Sequence, residues 1–160
     1  MKAATVIQLR KELETLDEDY LRELCLRLAR FKIENKELLT YLLFESEDED
    51  FYVNGIKEQV DKLFEEINKK SYFYIKKSVR KILRLLKKYA RYSNSKETEV
   101  ELLIYYCYKL KTLKPSISNN LTLTKIFLKQ IENIEKKIIK LHEDLQFDFR
   151  ERLKQLHKPH

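Results

Sequence analysis

The fold class is decided by residues 71–92, which read SYFYIKKSVRKILRLLKKYARY. Apolar residues recur in this stretch three and four positions apart, the spacing that places side chains on one face of an α-helix. Ser71 is a residue type that commonly caps helix N-termini, so the pattern predicts a helix over 71–92. The face predicted to be buried consists of Ile75, Val79, Ile82, Leu85, Leu86, Tyr89 and Ala90.

The opposite face of this predicted helix is strongly basic. At about 100° per residue, its Lys and Arg side chains fall within an arc of about 140°, with Phe73 among them and Tyr74 and Tyr92 at one margin. Lys and Arg displace counterions from a phosphate backbone and aromatic rings stack on bases, so this surface is a candidate polyanion-binding site. We name it the basic face, and its residues are Lys76, Lys77, Arg80, Lys81, Arg84, Lys87, Lys88 and Arg91.

Charge is segregated in the middle of the chain. Residues 45–66 contain nine acidic residues and two Lys, whereas residues 67–96 contain eleven basic residues and no acidic one. The basic face therefore has two further interpretations: a solvated outer surface, or a surface that packs against the acidic segment 45–50 of the same chain. An acidic protein or a membrane surface is another possible partner, because charge alone does not discriminate among anions.

Composition excludes several classes of enzyme and of fold. The 160 residues include a single glycine, Gly55, and two prolines. A chain without Gly-rich loops lacks the P-loop, the dinucleotide fingerprint and the nucleophile elbow. Few Gly and Pro residues also disfavour the tight hairpins of a multi-stranded sheet. We expect an all-α protein of about eight helices, over residues 6–13, 18–31, 36–44, 45–67, 71–92, 95–114, 121–142 and 143–157.

Polar residues between the periodic segments predict where several helices begin. Asp17 is the expected cap of the second helix, and Asn35 is the expected cap of the third. Asn94 is followed three positions later by Glu97, which predicts a capping box at the start of the sixth helix.

An internal repeat is predicted from two pairs of matching segments. LARF at 28–31 corresponds to YARY at 89–92, and ELLTYLLF at 37–44 corresponds to ELLIYYCY at 101–108. The length of the chain predicts one helical domain over 1–160. If the repeat is real, its two three-helix units, 17–68 and 71–142, stack as a short α-solenoid or an irregular bundle. Leu39 and Leu103, like Tyr41 and Tyr105, are then expected to be equally buried. The alternative is that two amphipathic helices share periodic Leu residues without a common origin.

Two short motifs that suggest metal chemistry are incomplete. Residues 50–61 superficially follow a Ca²⁺-binding EF-hand loop, but Tyr52 occupies a position that requires a carboxylate or amide oxygen, and the same residues form an amphipathic helix pattern. His142 is followed by Glu143 but lacks the second His, four positions on, of a zinc-hydrolase helix. We therefore predict no catalytic residue, no metal site and no cofactor.

Charge, cysteines and hydropathy bear on location. The formal net charge is +7. Cys25 and Cys107 have no CxxC spacing and are predicted to be reduced core residues. The longest strongly apolar runs, 38–44 and 102–108, are too short to span a bilayer. Arg10 and Lys11 come too early for a secretory signal, so we expect a cytoplasmic protein without a transmembrane segment.

These observations favour a non-enzymatic helical scaffold that binds another macromolecule, with a protein as the expected partner. The alternative is nucleic-acid binding through the basic face of the helix over 71–92. The sequence contains no base-reading motif that distinguishes RNA from DNA, and it leaves the oligomeric state open.

Overall fold

The computed structural model describes residues 1–157, and within them the chain is all-α with no strand, as predicted. A π-helical turn, Tyr41–Glu45, follows α3, and a short 3-10 helix, Ile117–Asn119, precedes α7. Residues 158–160, the end of the predicted single domain, lie outside the described residues. The helices are α1 Val6–Leu13, α2 Glu18–Phe31, α3 Ile33–Thr40, α4 Glu49–Glu65, α5 Tyr72–Ser93, α6 Lys96–Lys111, α7 Leu121–Ile138 and α8 Glu143–His157.

The chain divides into two compact units, Met1–Phe44 and Glu45–His160. The predicted repeat unit 17–68 spans the boundary between them. Leu39 is half-buried whereas Leu103 is fully buried, and Tyr41 is buried whereas Tyr105 is half-buried. The equal burial expected of a repeat is therefore not observed at either pair, and the stacked three-helix units stay a prediction.

In the N-terminal unit, side-chain caps set the starts of α1 and α2. The hydroxyl of Thr5 accepts the N–H of Gln8, and Oε1 of Gln8 accepts the N–H of Thr5 at 2.9 Å. Asp17 caps α2 as predicted, because its carboxylate accepts the N–H of Tyr20 at 2.8 Å. The following helix, α3, packs against α2, so the two form a helical pair.

The predicted cap at Asn35 is wrong, because α3 already begins at Ile33. Lys32 alone adopts an extended backbone, with φ −140° and ψ 142°, and this residue separates the two helices. Asn35 lies in the first turn of α3, where its Nδ2 donates to the carbonyl oxygen of Leu28 at 2.8 Å. The side chain thus satisfies a free carbonyl near the end of α2 rather than an N–H group of α3.

The central helix of the second unit is α6, which packs against α4, α5, α7 and α8. Its buried residues occupy about two thirds of its circumference, as expected of a helix packed against four others. Tyr106 is fully buried, and its hydroxyl donates to the carbonyl oxygen of Val79 at 2.9 Å, which satisfies the polar end of the ring. The buried residues of α6 are Thr98, Val100, Leu102, Leu103, Ile104, Tyr106, Cys107 and Leu110.

The predicted capping box of Asn94 and Glu97 is also wrong. Asn94 has φ 56° and ends α5 in the left-handed conformation, which Asn tolerates better than most residues. Ser95 caps α6 instead and accepts the N–H of Thr98 at 3.2 Å. Because the connection between the two helices is so short, Asn94 must reverse the chain and cannot also cap α6.

Residues 50–61 lie inside α4, so the EF-hand-like spacing belongs to a continuous helix. Asp48 caps this helix by accepting the N–H of Phe51 at 2.9 Å. The structure also differs from the prediction at α7, which was expected to end at His142 and ends at Ile138. The apolar face of α4 is buried at Tyr52, Ile56, Val60 and Phe64, whereas Leu63 is half-buried. Ile67, just beyond the end of α4, is also buried.

Gly55 gives a first testable prediction. It lies in the interior of α4, and no heavy atom of residues 1–157 comes within 4 Å of the place where its Cβ would stand, apart from local backbone. Glycine in a helix costs about 0.5–1 kcal/mol relative to alanine, because the unfolded chain loses more conformational freedom. Gly55→Ala is expected to raise the free energy of unfolding by this amount in urea denaturation. A decrease would mean that the position is more crowded than the structure indicates.

Candidate nucleic-acid interface

Burial of its apolar side leaves the basic face of α5 directed outward. Ile75, Val79 and Leu86 are fully buried, whereas Leu85 and Tyr89 are half-buried. This division of the helix into an apolar and a basic side is as predicted. At 1.5 Å per residue, the cations between positions 76 and 91 extend over about 22 Å.

The side chains of the basic face differ in exposure. Lys76, Lys87 and Lys88 are half-buried, since long aliphatic stems can lie along a helix while the charged end stays in water. Nζ of Lys88 lies 4.9 Å from the ring centroid of Tyr89, within cation–π range. The exposed members of the face are Lys77, Arg80, Lys81, Arg84 and Arg91.

Most of the basic face has no internal counter-charge. The nearby acidic segment 45–50 has other contacts: Asp48 caps α4, and the carboxylate of Glu49 accepts hydrogen bonds from the hydroxyls of Ser93 and Thr98. The sequence allowed the acidic segment to cover this face, and that arrangement is not observed at seven of the eight positions. Across residues 1–157, no carboxylate forms an ion pair with Lys76, Lys77, Arg80, Lys81, Arg84, Lys87 or Arg91.

Two exposed rings stand at the N-terminal end of the basic face. Phe73 is 67% exposed and Tyr74 is 46% exposed. Their centroids lie 5.5 Å apart at an interplanar angle of 80°, an edge-to-face contact. Phe73, Lys76, Lys77, Arg80, Leu83 and Arg84 line a shallow depression along α5. A cationic surface beside exposed rings is the combination that binds single-stranded nucleic acid.

A different charged cluster lies between α4, α6 and α8. Glu101 accepts a hydrogen bond from Nζ of Lys57 at 2.5 Å and forms a bidentate pair with Arg152, whose Nη2 lies 2.9 Å from Oε1. Burial by itself would raise the pKa of Glu101, but the hydrogen bonds from Arg152 and Lys57 lower it below the usual 4.5. Glu101 is therefore an ionised carboxylate that joins three helices.

A second pairing connects α4 and α6 one turn further along. The carboxylate of Asp61 accepts the hydroxyl of Tyr105 at 2.6 Å and pairs with Nζ of Lys109 at 2.9 Å. Burial opposes ionisation of Asp61, yet the hydrogen bonds from Tyr105 and Lys109 lower its pKa. Burial and the hydrogen bond to Asp61 raise the pKa of Tyr105. Asp61, Tyr105 and Lys109 thus satisfy one another's hydrogen bonds and charges, and this cluster stabilises the packing of α4 against α6.

The remaining candidates for chemistry are isolated. His142 Nδ1 lies 3.4 Å from the carboxylate of Asp144, and both side chains are exposed. Within residues 1–157, no group of three or more His, Cys, Asp or Glu side chains is arranged to hold a metal. Cys107 is buried as predicted, and burial raises its pKa to about 12. Cys25 is exposed, because it lies on a side of α2 that nothing in the described chain covers, so its prediction as a core residue is wrong.

Another surface was not anticipated from the sequence. Most of the large apolar side chains that are exposed in the described chain belong to the N-terminal unit. Examples are Leu28, Phe31 and Phe44, which are 59%, 78% and 79% exposed. Periodicity identifies such residues as a helix face, but it does not reveal that the face stays uncovered.

No helix within residues 1–157 has the length and hydrophobicity needed to cross a bilayer. The chain matches no family model, no curated protein and no solved structure. Its function is therefore inferred from the chemistry of its own surfaces.

Proposed function

We propose that this chain is a non-enzymatic interaction protein that binds the phosphate backbone of a nucleic acid through the basic face of α5. One observation carries the proposal: seven cations on one side of a helix have no carboxylate partner within residues 1–157. Elsewhere in the same unit, Lys57, Lys109 and Arg152 are paired with acidic side chains. Unpaired cations repel one another, and a phosphate backbone would relieve that repulsion.

The length of the basic face and its rings favour a single strand. A stretch of about 22 Å is long enough for contacts with several successive phosphates. Phe73 and Tyr74 stand beside the cations with much of their ring surface exposed. Bases of a single strand are free to stack on such rings, whereas duplex bases are already stacked on one another. The non-enzymatic part of the proposal rests on the sequence, in which no catalytic constellation is found.

The test is a comparison of binding at near-physiological ionic strength, about 0.15 M. A labelled single strand of about 16 nucleotides, the upper end of common site sizes, is titrated with protein and followed by fluorescence anisotropy. Arg80→Glu with Arg84→Glu is expected to weaken binding at least about tenfold. The log–log dependence of affinity on salt should lose about one unit of slope for each phosphate contact removed.

The matched control is Lys125→Glu with Lys129→Glu. These residues are exposed, lie four positions apart on α7, and change the net charge by the same amount. This variant is expected to bind almost as well as the original protein. Equal loss in both variants would show that only net charge matters, and equal affinity in the original protein and the Arg80 and Arg84 variant would contradict the proposal.

Phe73→Ala separates single-strand from duplex binding. Loss of base stacking typically weakens single-strand binding by about 1–3 kcal/mol per base. The variant should therefore bind a single strand at least about fivefold more weakly and a duplex of the same length unchanged. Equal effects on both would argue against stacking and in favour of simple phosphate binding.

A cytoplasmic location belongs to the same proposal. Cys25 and Cys107 are both free thiols, and Cys25 is exposed. Such a thiol persists most readily in a reducing compartment. A protein partner remains the second candidate function, and the exposed apolar side chains of the N-terminal unit favour it.

A further inference from the structure

The exposed apolar surface of the N-terminal unit includes a regular seam along α2. Leu21, Leu24, Leu28 and Phe31 follow one another at intervals of three, four and three residues, the spacing of core positions in a coiled coil. Leu21 and Leu24 are half-buried, but Leu28 is 59% exposed and Phe31 is 78% exposed. Within the N-terminal unit, therefore, no element covers the C-terminal half of the seam.

The neighbouring helix α3 lies on a different side of α2. Leu26, Ala29 and Arg30 of α2 line a shallow groove together with Leu39 and Leu43. On a helical wheel, these α2 residues stand more than a quarter turn from the middle of the seam. The contact with α3 thus leaves the seam available to another helix.

The small size of the unit explains why it cannot cover this seam itself. Among the 44 residues of the unit, Tyr41 alone is buried. Helical units of this size generally need a disulfide, a metal or oligomerisation to complete a core. Residues 1–44 hold no disulfide and no metal-binding group, so of these three means oligomerisation is the one open to the unit.

The charges of the unit match a second copy of the same unit. Residues 1–44 contain eight acidic and eight basic residues, so the net charge of +7 belongs entirely to the rest of the chain. Along α2 the first half carries Glu18, Asp19 and Glu23 with Arg22, which pairs with Asp19, and is net acidic, whereas the second half carries only the basic residues Arg27 and Arg30. An antiparallel copy would place the acidic half of each helix opposite the basic half of the other.

We infer that two copies of this chain form an antiparallel dimer in which the α2 seams pack against each other. A two-fold axis near Cys25 would bring Cys25 of the two copies together. Glu18 lies seven residues before Cys25 and Lys32 seven residues after it, so the same axis places Glu18 of each copy near Lys32 of the other. Isologous contacts of this kind are the commonest form of homodimer.

A dimer of this kind needs more surface than the seam alone. A stable interface buries about 800 Å² on each partner and involves about 20–30 residues. The seam, from Leu21 to Phe31, is about 15 Å long and supplies part of this area. The same unit exposes Leu42, Leu43 and Phe44, which can supply more.

Sedimentation equilibrium of the full chain tests the dimer. The protein is expected to have twice its monomer mass of 19.5 kDa, whereas Leu28→Asp with Phe31→Asp should be monomeric. Both side chains are exposed in the single chain, so the helical circular dichroism should be retained. Leu121→Asp with Ile139→Asp is the matched control, because these residues are also exposed and apolar but lie in the other unit, and it should remain dimeric.

Charge exchange tests the antiparallel orientation. Glu18→Lys alone places Lys against Lys32 of the other copy, and Lys32→Glu alone places Glu against Glu18. Each variant by itself should dissociate at least about tenfold more readily, and an equimolar mixture should recover dimers of mixed composition. In a parallel dimer like charges already face each other in the original protein, so the single variants would not weaken it.

Mild oxidation of the original protein provides a third readout. Cys25 should form a disulfide between copies, and Leu28→Asp with Phe31→Asp should suppress it. A protein that stays monomeric up to about 1 mM, or a dimer that persists in the Leu28 and Phe31 variant, would overturn the inference. An apolar face of a different protein would then be the occupant to seek.

Discussion

Leu103→Ala is expected to destabilise the second unit by about 3–5 kcal/mol. Leu103 is fully buried in the middle of α6. Truncation removes the transfer free energy of three carbon atoms and leaves a cavity that rigid neighbours fill only in part. Neighbouring helices pack around α6 on several sides, so no single helix can move in to close the gap without disturbing the others.

Urea denaturation followed by circular dichroism measures this effect. Leu128→Ala is the matched control, because Leu128 is also in a helix of the same unit but is 55% exposed. Its replacement should change the free energy of unfolding by less than about 1 kcal/mol. Similar losses in the two variants would mean that α6 is not the central helix of the unit.

Glu101→Gln is expected to lower the free energy of unfolding by about 2 kcal/mol at neutral pH. The change removes the negative charge that holds Lys57 and Arg152 and leaves two cations close together. A fully buried pair that loses one partner costs more, about 3–5 kcal/mol, but the side chain of Arg152 is 42% exposed and water screens part of the loss.

The pH dependence of stability separates this charge effect from a packing effect. The pKa of Glu101 is lowered in the folded protein, so the contribution of its carboxylate is present above the usual value of 4.5 and is lost as pH falls through the lower folded value. The original protein should thus lose stability below about pH 4.5. The difference in free energy of unfolding between it and Glu101→Gln should therefore become smaller.

Glu151→Gln serves as the control for this measurement. Glu151 pairs with Lys154 on the outside of α8, where an ion pair contributes less than about 1 kcal/mol. The free energy of unfolding of Glu151→Gln should be close to that of the original protein at every pH. If the free energies of unfolding of the original protein and Glu101→Gln differ by a constant amount down to pH 3, hydrogen-bond geometry rather than charge accounts for the lost stability.

Local patterns in the sequence were sufficient for the number and approximate positions of the helices and for the two sides of α5. Apolar spacing depends on the geometry of one helix, so residues 75–90 could be sorted into a buried and a basic side without knowledge of their neighbours. The cap at Asp17 was predictable for the same reason, since its hydrogen bond to Tyr20 lies within one turn.

Tertiary structure decided which surfaces are covered and which charges are paired. Asn94 and Asn35 are both good cap residues by type, but the short α5–α6 connection and the break at Lys32 gave them other contacts. Glu101 meets Lys57 and Arg152, which are 44 and 51 positions away. Seven of the eight basic residues of α5 have no carboxylate partner among residues 1–157, and the second half of the α2 seam, Leu28 and Phe31, is exposed. Pairing over these distances depends on how whole helices pack, and the periodicity of a single helix contains no information about its neighbours.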